Sequence, residues 1–156
     1  MAKRIVLDLD VCCGCRSCEA ACRAAFKGEA RIRHADLEVT AYLPLACKHC
    51  TEPLCAAACP VSAIVRDEAT GIVRRSAYAC TGCHSCALAC PFGVIDMPLV
   101  RRISQKCSLC SDRDGGPRCV TACSSGALRF LDEDKIDQSE IGVRFTSKDA
   151  FARRKA

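Results

Sequence analysis

The sequence predicts an α+β fold of short helices and small β-hairpins whose interior is filled by something other than apolar side chains. Three observations lead there. The chain has 156 residues and 17 of them are Cys, far above ordinary usage. Half of the residues count as hydrophobic, yet the cysteines and 23 alanines leave only 38 larger apolar side chains, with no Trp among them. That is a thin supply for a core at this length. The cysteines also recur in four groups, and only short strand and helix patterns lie between them.

Taken in chain order, Arg4–Leu9 reads as a strand. Short helices are expected to begin at the last cysteine of each group: Cys22, Cys59, Cys90 and Cys123. Arg23–Leu45 is the main insertion, between the first and second groups. Ile64–Arg74 reads as a hairpin turning at Ala69-Thr70-Gly71, and Gly126–Leu131 as a closing strand. From Asp132 onwards the chain is charged and free of cysteine, as a tail that wraps a surface or docks a partner. Its basic end (Arg144, Lys148, Arg153, Arg154, Lys155) reads as a solvated face.

Disulfides or metal could each make up for the thin core. The start of the chain, Met1-Ala2-Lys3-Arg4-Ile5-Val6-Leu7-Asp8, has no apolar export segment or cleavage site. No stretch approaches 18 uncharged apolar residues, so no membrane span is expected. An odd number of cysteines suits a fully paired disulfide framework poorly. Cysteine density in a reducing compartment points to metal, and the expected location is the cytoplasm, or export together with a signal-bearing partner.

The spacing says which metal. The first group is Cys12-x2-Cys15-x2-Cys18-x3-Cys22, and the third, Cys80-x2-Cys83-x2-Cys86-x3-Cys90, repeats it. The second is Cys47-x2-Cys50-x4-Cys55-x3-Cys59 and the fourth Cys107-x2-Cys110-x8-Cys119-x3-Cys123. A cubane [4Fe–4S] cluster needs four thiolates, one for each iron. A tight C-x2-C-x2-C loop can curl round the cluster and supply three, while the cysteine three residues on is carried to a neighbouring cluster. Pro60 and Pro91 then turn the chain away. Zinc explains single C-x2-C pairs but has no use for the third and fourth cysteines of each run. Cys80-Thr81-Gly82-Cys83-His84 also reads as a c-type haem attachment site, but both of its cysteines belong to a complete run.

Sixteen cysteines fall into the four groups and Cys13 is left over. Cys12 gives the first group the same C-x-G-C start as the third, Gly14 matching Gly82, so Cys13 is expected to be a non-ligand packed beside a cluster. The groups alternate between two types, as after an internal duplication. The second and fourth share Pro two residues before the third cysteine (Pro53, Pro117). All four place Ala before the last cysteine (Ala21, Ala58, Ala89, Ala122). Small and then apolar residues follow it: Ser62 and Ile64, Gly93 and Ile95, Gly126 and Leu128. The apolar members would shield a cubane from water.

The order of the groups, their x4 and x8 exceptions, and Leu43-Pro44-Leu45-Ala46-Cys47-Lys48-His49-Cys50 resemble the four-cluster iron–sulfur subunits of the dimethyl-sulfoxide-reductase type. Related subunits serve molybdenum and tungsten pterin enzymes, hydrogenases and carbon monoxide dehydrogenase. The resemblance covers about residues 1–131 and implies two interleaved bacterial-ferredoxin-like units. An outer unit would comprise 1–46 and 91–131 and an inner unit 47–90, with 132–156 as a docking tail. It also implies the ligand sets: Cys12, Cys15, Cys18 with Cys123; Cys107, Cys110, Cys119 with Cys22; Cys47, Cys50, Cys55 with Cys90; and Cys80, Cys83, Cys86 with Cys59. One departure is visible, since Cys123 is followed by Ser124 and Ser125 where the family has Pro.

The formal net charge of +5 invites a nucleic-acid reading. Four oxidised cubanes with their thiolates would add about −8, bringing the loaded chain to about −3. There is no recognition-helix pattern and no aromatic run for base stacking, so no nucleic-acid partner is expected. His34, His49 and His84 form no nucleophile or metal constellation, and His49 and His84 are read as hydrogen-bonded to a cluster or exposed. No Gly-rich loop for flavin or nicotinamide occurs. The expectation is a non-catalytic one-electron relay with four [4Fe–4S] clusters, working for a catalytic oxidoreductase subunit. A molybdenum or tungsten pterin enzyme, such as a tungsten aldehyde oxidoreductase, is favoured. Hydrogenase and carbon monoxide dehydrogenase partners, and a free polyferredoxin, stand as alternatives. A further electron-accepting subunit or a second copy of the chain could extend the relay.

Overall fold

The computed structural model describes residues 2–27, 30–37, 41–95 and 106–136. Within these, six short strands pair into three separate two-stranded antiparallel sheets, and four short helices lie between them. The basic residues named at the end of the tail lie outside the described residues.

β1 (Lys3–Leu7) pairs with β6 (Leu128–Asp132), joining the start of the chain to its last described strand. Side chains alternate along a strand, and β1 is buried on both faces. Ile5 and Leu7 enter the main core with Cys18, Cys22 and Cys119, while Val6 packs against Ile136. Arg4, only 5% exposed, reaches Glu133 Oε2 at 3.3 Å and the carbonyl of Gly71 at 3.4 Å. The first residues of the tail therefore fold back on β1, through a 3₁₀ turn at Glu133–Lys135.

The expected hairpin is present as β4 (Ile64–Arg66) and β5 (Val73–Arg75). Its turn is fixed by Asp67, whose Oδ1 accepts the N–H groups of Ala69 and Thr70, with Gly71 at φ 68° completing the reversal. A second hairpin, β2 (Arg33–Leu37) with β3 (Ala41–Leu45), occupies the insertion that the sequence left without structure. Pro44 is accommodated because a two-stranded sheet leaves each strand with an unpaired edge.

The helices are displaced from their expected start. α1 (Ser17–Ala25), α2 (Leu54–Ala57), α3 (Ser85–Ala89) and α4 (Arg118–Thr121) each contain the third cysteine of a group and run towards or through the fourth. The x3 spacing explains this, because residues four apart fall on one face of a helical turn. Two kinds of start serve the two kinds of group. α1 and α3 begin after left-handed residues, Arg16 (φ 57°) and His84 (φ 63°), whereas α2 and α4 begin after extended prolines, Pro53 and Pro117. Proline costs nothing there, since no helical bond needs its missing N–H. α1 packs on α4, and α2 on α3.

Gly14 and Gly82 hold equivalent left-handed conformations, φ 68° and 74°, in unequal surroundings. A Cβ on Gly14 would lie 2.6 Å from the ring of Tyr42, while one on Gly82 would meet nothing within 4 Å. Gly82→Ala is expected to cost about 1–2 kcal/mol through backbone strain alone. Gly14→Ala should cost more, because the ring must also move. Thermal unfolding of the two iron-loaded variants checks the order.

Candidate cluster-binding sites

Each site starts from the same backbone device. The residue before the second cysteine is left-handed in all four groups: Gly14, His49 (φ 47°), Gly82 and Leu109 (φ 55°). Such a residue curls the chain tightly between two cysteines, and glycine does it without strain. His49 and Leu109 lack that freedom but are 1% and 6% exposed, so packing holds them.

His49 departs from its expected role of cluster hydrogen bonding or exposure. It is buried, and its Nδ1 accepts the backbone N–H of Val73 at 2.9 Å, tying the second cysteine loop to β5. Burial, then the nearby charges of Lys106, Arg4 and Arg74, depress its pKa to about 2 and keep it neutral. The sequence offers no signal for this contact, which joins residues 24 apart. His84 lies at the start of α3, half-buried. His34 is on β2, its ring 6.3 Å from that of Tyr42.

A second device surrounds the last cysteines. Ser62, Gly93 and Gly126, each three residues beyond one, are all left-handed, and each donates its N–H to that cysteine's carbonyl at 3.1–3.3 Å. The turn brings a later amide to the sulfur. Ala63 N–H reaches Cys59 Sγ at 3.2 Å and Leu128 N–H reaches Cys123 Sγ at 3.4 Å. Cys22 Sγ receives the N–H of Arg31 at 3.2 Å. Donors of this kind favour the thiolate over the thiol. The apolar residues after these turns are inward, with Ile64 and Leu128 4% and 3% exposed.

The third cysteines of the groups, Cys18, Cys55, Cys86 and Cys119, have thiol pKa values raised by burial, Cys18 and Cys55 to about 11. Cys50 is also pushed up, and Cys107 rises to about 12. The exposed cysteines Cys15 and Cys83 behave oppositely. The Ser17 hydroxyl, 3.3 Å from Cys15 Sγ, leads the lowering of that thiol to about 7. Ser85 lowers Cys83 in the same way, its Oγ at 3.5 Å. Ser125, which follows Cys123 where proline was expected nearby, lies 3.6 Å from Cys123 Sγ.

Three of the four sets implied by the resemblance come within electrostatic reach of one another. Cys18 is influenced by Cys123, Cys12 and Cys15. Cys119 is influenced by Cys107, Cys22 and Cys110, and more weakly by Cys18. Cys55 is influenced by Cys47, Cys90 and Cys50. In the fourth set, Cys80 and Cys86 share a small core with Cys55, Ile64 and Val73. Cys13, expected beside a cluster, is exposed, and it helps to lower the Cys15 thiol pKa.

The fit to iron–sulfur is a matter of donor chemistry. Cys47, Cys50, Cys55 and Cys90 wall a cavity with Leu54, Val73, Phe92, Val94 and Lys106. Thiolates in an apolar shell suit a soft, cluster-bound metal. Among the described residues no three His, Cys, Asp or Glu gather closely enough to hold a single ion. A cubane instead spreads its four thiolates over four irons.

Cysteine-lined sites on small hairpins and short helices define an iron–sulfur protein, and the chain belongs to the 4Fe-4S dicluster domain family. The family model matches residues 38–133, so the first cysteine group lies outside the match. Among curated relatives from Escherichia coli (strain K12), UacF is 36% identical over 90% of this chain. The chain spans only 23% of UacF's length. Electron transport protein HydN is 31% identical, the match covering 88% of this chain and 93% of HydN. Formate hydrogenlyase subunit 2 is 30% identical over 87% of this chain and 85% of that subunit.

Proposed function

We propose that the chain is a non-catalytic relay carrying single electrons through four [4Fe–4S] clusters, as a subunit of an oxidoreductase complex. The clusters would be held by Cys12, Cys15, Cys18 and Cys123; by Cys22, Cys107, Cys110 and Cys119; by Cys47, Cys50, Cys55 and Cys90; and by Cys59, Cys80, Cys83 and Cys86. When bound, each supplies a site that takes up and releases one electron. The observation that supports the reading is the electrostatic influence of last cysteines on the paired groups: Cys123 acts on Cys18 of the first group and Cys22 on Cys119 of the fourth. Cys90 likewise acts on Cys55 of the second. The packing of α1 on α4 and of α2 on α3 supports an outer unit, 1–46 with 91–131, and an inner unit, 47–90.

The cysteine spacing resembles that of the dimethyl-sulfoxide-reductase-type subunits, and on that resemblance we favour a molybdenum or tungsten pterin enzyme as partner. The similarity to a formate hydrogenlyase subunit supports the subunit role without choosing that chemistry. Residues 132–156 would dock the partner, and the complex would work in the cytoplasm. No helix among the described residues is long and apolar enough to cross a membrane.

Anaerobic purification of the tagged chain from its own cells tests this. The expected product is brown, holds about 16 iron atoms per chain, and carries a larger catalytic subunit with it. About 8 irons would overturn the four-cluster reading. A lone chain that reduces several unrelated enzymes would overturn the subunit reading in favour of a free polyferredoxin.

A further inference from the structure

We propose that Lys106 is a positioning charge shared by two neighbouring cluster sites, raising the reduction potentials of both and keeping them matched for electron passage between the inner and outer units. The proposal rests on the ligand sets given above. A central cavity is walled by Cys47, Cys86 and Cys107, one cysteine from each of three sets, and by three cations: Arg31, Arg75 and Lys106. Arg75 serves one set, with Nη1 3.9 Å from Cys80 Sγ and its charge felt at Cys86. Arg31 serves another. It lies over the ring of Phe26 at 3.4 Å, bonds Ser108 Oγ at 3.2 Å, and interacts with Cys107, Cys22 and Cys110.

Lys106 differs because its field crosses a boundary. It acts on Cys50 and Cys55 in one set and on Cys107 in the next. It also lines the cavity formed by Cys47, Cys50, Cys55 and Cys90. Its ammonium is fixed by donating to the carbonyl of Val73 at 2.8 Å. Val73 is itself held by His49, which accepts its N–H. Among the described residues no carboxylate pairs with Lys106 within 4 Å, and its charge acts on the sulfurs of both sets. The site of Cys12, Cys15, Cys18 and Cys123 is served by hydroxyls instead, Ser17 on Cys15 and Ser125 beside Cys123.

One electron from an external reductant takes a cubane with its thiolates from about −2 to about −3, with no proton required. A fixed cation stabilises the more negative state, and does so more strongly where water is excluded. A charge shared by two sites therefore raises both potentials together.

Mediated redox titration of the iron-loaded full chain, followed by EPR, tests this. In Lys106→Gln two of the four midpoint potentials should fall and two should stay, with iron content unchanged, and Lys106→Arg should restore them. Four unchanged potentials, or an equal shift in all four, would overturn the proposal. If Lys106→Gln loses iron, Lys106→Arg decides. Full iron and wild-type potentials support the role of charge, whereas loss of iron in both variants assigns Lys106 to packing and overturns it. A wild-type iron content other than about 16 would count against the cluster assignment instead.

Discussion

Removing iron with a chelator under reducing conditions is expected to unfold the chain. The elements leave little that could persist alone. Three of the helices have four or five residues, far below the length at which an isolated helix holds together. All three sheets are two-stranded, and an isolated hairpin is marginal at best in water. Their cores are built on cysteine: Cys18, Cys22 and Cys119 in the largest, Cys86 in another, Cys47 in a third. Without iron these become thiols around gaps, and the raised pKa values of the buried ones show how poorly the apo site would tolerate a thiolate. Domain stability is typically about 5–15 kcal/mol, and metal-built folds of this kind commonly take theirs from the ligand bonds. Far-UV circular dichroism and amide exchange should show loss of the β1–β6 pairing and of slow-exchanging amides in the apo chain. A protected, native-like apo form would show that the apolar residues suffice.

What was legible in the sequence was the part written in cysteine and turn chemistry. The groups are written in the spacing; the hairpin turning at Ala69-Thr70-Gly71, the strand at Arg4 and the strand after Gly126 follow from local patterns, and the structure has these elements within a few residues. The helices were displaced because the sequence shows that two cysteines lie four apart, not which of them opens the turn. Only the geometry at Arg16, Pro53, His84 and Pro117 settles that. The β2–β3 hairpin was missed because Arg33-His34-Ala35-Asp36-Leu37 lacks β-branched residues and Pro44 argues against a strand. The shared left-handed position was half visible. Glycine announces it at Gly14 and Gly82, whereas His49 and Leu109 adopt it through burial, a tertiary effect that propensity cannot report.

Cys12→Ser is expected to lose about four irons per chain, or to convert one cubane to a three-iron form, while Cys13→Ser keeps the full complement. The two residues are adjacent and chemically identical, so only their placement can separate them. Cys12 is half-buried and, like Cys123, packs against the core that holds Cys18, Cys22 and Cys119, and its charge is felt at Cys18. Cys13 is exposed, and the influence it has on the site is a small lowering of the Cys15 thiol pKa, behind that of Ser17. The left-handed Gly14 after it reproduces the loop of Cys80–Cys83, in which Cys80 holds the place of Cys12. Serine is nearly the size of cysteine but is a poor ligand to iron, so the substitution tests ligation with little change in packing. Iron and sulfide analysis with EPR of the reduced protein reads the result. Equal loss in both variants would mean that the first group is read in the wrong register. Full iron in Cys12→Ser, lost only when Cys13 is also replaced, would mean that Cys13 can move inward to replace its neighbour. The single-register assignment would then fail.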